Sequence, residues 1–432
     1  MQVGIYSEID PLKSVILHRP GEEHFFINPN NLNEWMPGKN KLINNPDYLL
    51  FDDLINPQKA MEEHNLLSQV IKKITGNTNC IEFIDLVLDI LNDKELRKLL
   101  LIECITFESE IHGSNISKAK MSNLLSMESH ELLSILLTGC NPNNKKDNYF
   151  KHPIPNLIFT RDIASIIGKT ILLTWGRRKV RNRENIIAKH VFLYHKIFND
   201  TKTYDFNQKH PALSVEGGDI IILNEETVCM GMSERTTNEA INTLLPLFFN
   251  EGFKNIYAID LPKRRSIMHL DTIFNRINNH EAVIFPPLFS ENPNNQNILS
   301  IHCISEGEEL GNCKTSKQNL LQVLQDCNIQ LHPIKCGGDD HLDQEREQWT
   351  DGANYFTLSP GIIIGYDCNF NTIIELENAG YECIDAKKFL MQKKSLDKQS
   401  KLMISIPSSE LSRGRGGARC LTLPLCREKI DK

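Results

Sequence analysis

The chain has 432 residues, 40% hydrophobic and 24% charged, with 48 basic against 55 acidic side chains and a formal net charge of −7. This is the composition of a soluble protein long enough to bury a large core, in up to two or three domains. The acidic balance argues against a general nucleic-acid binder, which needs clustered positive charge; twelve cysteines without a CxxC pair or Cys/His spacing argue against a zinc site.

The N-terminal stretch "MQVGIYSEIDPLKSVILHRPG" holds acidic residues and no long apolar run, so it does not read as a signal peptide. No apolar run of membrane-spanning length follows. Unpaired thiols in such a chain predict a reducing, cytoplasmic location. "SVILHRP" (Ser14–Pro20) reads as a short strand ending in a turn. Pro57–Ile74 opens on proline and keeps helical apolar spacing, which predicts an amphipathic helix. Cys80 begins a strand-like run that turns helical. From about Leu86 to Gly139 the pattern is helical throughout, with Ser129 as the N-cap of its last helix. The polar loop Asn141–Asn148 closes this stretch. The predicted organisation is a body begun by residues 1–85, a helical subdomain inserted at 86–148, and the remainder of the body at 149–432.

Strand-like runs then alternate with helices: "IASIIG", "TILLTW", "DIIILN", "TVCMGM", "NIYAIDLP", "EAVIFPP" and "GIIIGYD", with helical stretches at Arg183–Phe198, Thr236–Asn250 and Asn371–Gly380. Pairs of strands separated by one helix predict an α/β fold of repeated units around an axis. The repeat is architectural, without self-similarity in the sequence.

Chemistry-bearing residues stand at the ends of these runs. Asp162 precedes "IASIIG", Glu216 precedes two glycines and "DIIILN", and Cys420 is expected to begin the strand "CLTLPL". His269 and Asp271 are two apart, which in an extended segment sends both to one side. The stretch "SRGRGGARCLTLPL" (Ser412–Leu425) allows two readings. One is an Arg-Gly tail that binds RNA, which the acidic balance disfavours. The other is a loop whose glycines let the main chain approach a small ligand, with arginine forks and a cysteine nucleophile. Each residue alone has a plainer explanation: caps for Asp162 and Glu216, a structural histidine, a buried thiol, solvated loop arginines. Their joint placement at strand ends is what points to one pocket.

"FTRD", "EGGD", "MHLDT" and "RGRGGARC" occur in an order that resembles the arginine deiminases of the guanidino-group modifying (pentein) superfamily. "SEI-PLKSVILHRPG", "LLFDD" (Leu49–Asp53), "VRNRE" (Val180–Glu184) and "MSERT" (Met232–Thr236) extend the resemblance over nearly the whole chain. It implies a five-bladed, pseudo-symmetric α/β propeller of ββαβ repeats, carrying an inserted helical bundle that agmatine-specific relatives lack. It implies Cys420 as nucleophile, His269 as general acid and base, Glu216 as its support, and Asp162 and Asp271 as carboxylates for a substrate guanidinium. It also implies that Arg181, Arg235 and Arg415 meet the carboxylate of L-arginine, with Asn156, Phe159 and Gly414 lining the same pocket. No metal and no cofactor are expected. The partners expected are L-arginine and a second copy of the chain in a homodimer or higher homo-oligomer, and neither nucleic acid nor membrane.

Arg177, Arg178, Arg183 and Arg413 read as surface or structural charges, and Arg419 is expected to point away from Cys420. Two stretches depart from the family pattern, near residues 30–48 and at 387–403, and read as surface insertions. A sharper reading makes the second a gate or an oligomer contact. Agmatine deiminase, amidinotransferase and a non-catalytic binding propeller remain the alternatives.

Overall fold

The structure, a computed structural model, describes residues 1–39, 41–113, 116–141, 143–289, 299–316, 318–392 and 400–429. The aliphatic runs pair with their sequence neighbours first, because a tight turn suffices for an antiparallel pair. Ala164–Ile167 thus pairs with Thr170–Leu173, Ile220–Asn224 with Thr227–Met232, Phe274–Arg276 with Glu281–Ile284, and Phe356–Ser359 with Ile362–Tyr366. In each case a third strand lies parallel to the second: Lys202–Asp205, Asn255–Asp260, His332–Lys335 and Leu402–Ile406. A parallel neighbour needs a crossover, and a helix lies in every one of these connections.

The fifth unit is closed by the two ends of the chain. Leu12–Leu17 pairs antiparallel with Leu423–Arg427 and parallel with Cys80–Glu82, with helix α1 (Pro57–Thr75) in the crossover. The second sheet is extended by Ile301–Ser305 and Lys314–Ser316, and the fourth by Glu382–Asp385. Most central strands are buried along their length, as in sheets covered on both faces.

Four helices follow Cys80–Glu82: α2 (Phe83–Asn92), α3 (Lys94–His112), α4 (Lys118–Ser126) and α5 (Ser129–Thr138). They share one apolar core with the body, since Leu100, Leu132 and Leu136 belong to the same buried cluster as Ile166, Ile187 and Phe206. Ser129 is not a cap. Glu128 takes the N-cap position, and Ser129 Oγ instead donates to Asn92 Oδ1 at 2.7 Å and accepts from Arg97 Nη2 at 2.7 Å, tying α5 to the turn before α3. The expected loop at 141–148 contains a strand, Asn144–Asn148, that pairs with Cys140–Asn141. In the insertion near residues 30–48, Trp35–Pro37 and Leu42–Asn44 form a hairpin with Trp35 and Leu42 exposed. Most of the second insertion's centre, residues 393–399, lies outside the described residues.

Candidate active site

The segments that lead into the first strands of the units converge. Thr160–Asp162, Gly217–Asp219 and Leu270–Thr272 are single 3-10 turns, each followed closely by a buried strand. Cys420 sits in a turn three residues before Leu423, so it does not begin a strand. His269 and Asp271 are likewise not on an extended segment: His269 is the N-cap of the turn that carries Asp271. Convergence comes from these turns, which stop side chains from alternating as they would along a strand.

Asn156, Phe159, Asp162, Arg181, Glu216, Arg235, His269, Gly414, Arg415 and Cys420 line one cavity, with about 340 Å³ of space between atoms, part of it open to solvent. Asp271 lies behind Cys420, its Oδ2 3.8 Å from the thiol sulfur. All eleven sequence-predicted residues are therefore at one place, and every one is buried or nearly so.

His269 Nε2 lies 2.8 Å from Glu216 Oε2. Burial alone lowers a histidine pKa, but the Asp162 carboxylate, the hydrogen bond to Glu216 and the Asp219 carboxylate overcome it and raise His269 to about 9. Burial opposes ionisation of Glu216 too; Arg235, the imidazole and Arg181 prevail and hold it well below the usual carboxylate range. Cys420 is pushed the other way, first by burial and then by the Asp271, Asp351 and Asp162 carboxylates, so its thiol lies well above its ordinary value. Glycine is needed beside this pair. A Cβ at Gly218 would stand 2.5 Å from His269 Nδ1, and one at Gly416 would stand 2.3 Å from the Phe159 ring.

The two carboxylates expected to face a guanidinium already touch arginines of the protein. Arg181 Nη1 lies 2.7 Å from Asp162 Oδ2, and Arg419 Nη1 lies 2.7 Å from Asp271 Oδ2. Asp162 Oδ1 accepts from the Gly218 amide at 3.1 Å. Asp271 Oδ1 is buried without a hydrogen-bond partner among the described residues, and each carboxylate oxygen has a second lone pair to offer. Arg181 also gives Nε to Glu184 and Nη2 to the Asn156 carbonyl. Of its five N–H donors, these bonds and one from Nη2 to the Phe159 carbonyl leave one hydrogen, on Nη1, for a further acceptor. Arg235 Nε and Arg415 Nε and Nη1 are buried with no partner among the described residues, which leaves them the readier forks. Asp162, Glu216 and His269 bring one ligand atom each within 4.8 Å of one another, but Arg181 and the imidazolium already balance that negative charge, so the set does not fit an open metal site.

Arg419 corrects the sequence reading. It does not point away from the surroundings of Cys420; it is fully buried and bridges Asp271, the carboxylate beside the thiol, to Glu8, which it meets at 2.9 Å, while donating to the Ile220 carbonyl. An extended chain would turn its side chain away from that of Cys420, but residues 418–421 form a turn and bring both to Asp271. Sequence reasoning also missed Asn354, whose Oδ1 accepts the Arg419 and Cys420 amides at 3.1 Å each. It passed over Arg265, which lines the cavity and is held by Asp52 at 2.7 Å, and Trp349, whose ring lies 3.6 Å from the Arg415 guanidinium carbon. The motif "LLFDD" carried Asp52, but only its fold partner reveals its use. Of the arginines read as surface or structural, Arg183 is buried between the His152 carbonyl and the Phe150 ring, and Arg178 and Arg413 pair with Glu34 and Asp53.

A mixed α/β fold with a buried thiol, an imidazole held by a carboxylate, and two further carboxylates defines an enzyme-like site for a planar cationic carbon. The family model described as "Arginine deiminase" matches residues 47–427, and the chain belongs to that family. It is 31% identical to the arginine deiminase of Mycoplasma capricolum subsp. capricolum, over all of this chain and 98% of that one. It is 33% identical to that of Borrelia garinii subsp. bavariensis, over 99% and 98% of the two chains. Among solved structures, the product-bound N-terminal domain of ArgZ, an arginine dihydrolase from the ornithine-ammonia cycle in cyanobacteria, aligns with a TM-score of 0.50 at 15% identity, over 97% of this chain and 98% of that one. That likeness bears on the fold.

Proposed function

We propose that this chain is an arginine deiminase that hydrolyses L-arginine to L-citrulline and ammonia. The observation that carries the reading is Cys420, His269, Glu216 and Asp162 around one cavity, with Asp271 3.8 Å from the thiol sulfur behind it, and arginine nitrogens at the cavity without partners among the described residues. A guanidinium is planar and a donor on every nitrogen, so carboxylates on two sides can hold it by paired hydrogen bonds. Its positive charge offsets the carboxylates that keep Cys420 protonated, and the thiol proton leaves as the cation arrives.

The Cys420 thiolate then attacks the guanidinium carbon. The resulting tetrahedral adduct breaks a C–N bond as His269 gives a proton to the departing ammonia. What remains on Cys420 is a thiouronium. His269, now neutral, takes a proton from water; the hydroxide adds to the carbon, the C–S bond breaks as the hydroxyl proton passes to bulk water, and citrulline leaves with the thiolate and the charged imidazole restored. Glu216 keeps the imidazole oriented and supports its charged form. Arg235 and Arg415 are the forks for the substrate carboxylate, with Arg181 joining through its remaining Nη1 hydrogen.

In this reading the five ββαβ units surround one axis as the blades of a propeller, with the site on the axis. Five converging segments support it: one unit each supplies Asp162, Glu216, Asp271, Asn354 and Cys420. The helices at 86–148 are an inserted module that takes part of its core from the body. Among the described residues no helix is long and apolar enough to cross a membrane, and all twelve cysteines are free, which supports a reducing, cytoplasmic setting. A homodimer belongs to the same reading.

Product analysis of the purified protein tests it. Citrulline and ammonia are expected from L-arginine, and no product is expected from agmatine. Turnover of agmatine alone would remove the carboxylate forks from the account, and transfer of the amidino group to an amine would make the enzyme an amidinotransferase.

A further inference from the structure

Glu63 lies on α1, outside the lining of the cavity, and is buried. Its carboxylate accepts three donors from the chain that leads into the glycine loop. These are Ser409 Oγ at 2.8 Å, the Leu411 amide at 2.9 Å and the Glu410 amide at 3.2 Å. The grip is reciprocal, because Glu410 Oε2 accepts the amide of Asn56, the N-cap of α1, at 2.6 Å. Arg413 adds an ion pair to Asp53 at 2.9 Å, and a Cβ at Gly414 would stand 2.9 Å from the Phe51 ring. The near root of the loop is thus fastened to residues 51–63.

The far side is fastened to other elements. Tyr366 Oη donates to the Gly416 carbonyl at 2.7 Å, Asn354 holds the Arg419 and Cys420 amides, and Arg419 is locked to Glu8 and Asp271. Arg415 is the residue left between the two anchorages. It stands at φ +63°, a left-handed backbone that a non-glycine residue keeps only when its surroundings hold it there.

We propose that Glu63 is a positioning residue for substrate-carboxylate recognition: it fixes the near root of the glycine loop, and through it Arg415, without acting on Cys420. The proposal rests on the deiminase reading and adds a division of labour to it. One anchorage sets affinity for the amino-acid end of the substrate; the other sets the chemistry at the guanidinium. Charge-assisted hydrogen bonds of this kind are roughly twice as strong as neutral ones. Glu63→Gln keeps the shape and turns an amide NH2 toward backbone donors.

The test is steady-state kinetics on Glu63→Gln and Ser409→Ala. In Glu63→Gln the KM for L-arginine is expected to rise about tenfold, the factor that about 1.4 kcal/mol makes. Its kcat should stay within about twofold, the pattern of lost substrate binding. Ser409→Ala, at an exposed position, removes one donor of the three and should raise KM by about twofold. An unchanged KM in both variants, or a fall in kcat larger than the rise in KM, overturns the proposal. If Glu63→Gln does not fold, Ser409→Ala decides. Wild-type protein that releases no citrulline refutes the deiminase reading instead, before either variant is made.

Discussion

The Asp162 carboxylate, with the Glu216 contact at 2.8 Å and the Asp219 carboxylate, keeps His269 protonated at neutral pH. With His269 raised to about 9 from 6.5, the stabilisation it gains is complete below about pH 6.5 and is lost as pH rises through about 9. In the proposed mechanism the protonated form serves the ammonia-leaving step, so kcat/KM should decline above about pH 9. Glu216→Gln removes one of the anions that raise it. The alkaline limb should then move to lower pH, by about one unit or more, in a pH profile of kcat/KM. At this scale the sequence was informative where residue type and position coincide: Asp162, Glu216, His269 and Cys420 each stand beside a glycine or an apolar run. It was silent on the pairing of Glu8 with Arg419, because partners 411 positions apart leave no local pattern. Asn354 was hidden for the same reason, since an asparagine in "DGAN" is as well explained by a turn.

At the scale of elements, the strands and helices were legible because each keeps its own hydrophobic period. The helix expected at Pro57–Ile74 spans Pro57–Thr75, and that expected at Asn371–Gly380 spans Phe370–Asn378. What periodicity could not express was the short 3-10 turns at 160–162, 217–219 and 270–272, three residues each, which decide where the catalytic side chains point. Treating "MHLDT" and "ARCLTL" as extended chain put His269 and Asp271 together for the wrong reason and sent Arg419 the wrong way. The glycine loop gives the element-scale prediction. Gly416→Ala forces a methyl against the Phe159 ring, where a Cβ would stand 2.3 Å away. Overpacking of this kind costs about 1–3 kcal/mol. Denaturant unfolding should show that loss, and activity should fall with it because Phe159 lines the cavity.

Across the whole molecule, the chain's two ends meet in one sheet, where Leu12–Leu17 lies beside Leu423–Arg427, only a few residues from Cys420. The turn that carries Cys420 is therefore held in part by the N-terminal segment, through Glu8 and Arg419. The inserted helices show the same economy. Sequence pattern marked them as a subdomain, since it registers helical period and not which core a helix fills. Their buried leucines pack into the cluster that underlies the sheets. Leu136→Ala, at a fully buried position, should cost about 2–5 kcal/mol. Unfolding should remain one transition for far-UV and near-UV signals, and a separate early transition of the helices would show that their core is their own.

The central claim is covalent catalysis by Cys420, and rapid acid quench during arginine turnover, followed by peptide mass mapping of wild type and Cys420→Ala, tests it most directly. The account predicts an adduct with the mass of arginine less ammonia on the peptide containing Cys420. It predicts no adduct in the variant, with citrulline release lower by at least about 10³-fold, as when a nucleophile is removed. An adduct on another residue, or undiminished citrulline release by Cys420→Ala, would contradict it.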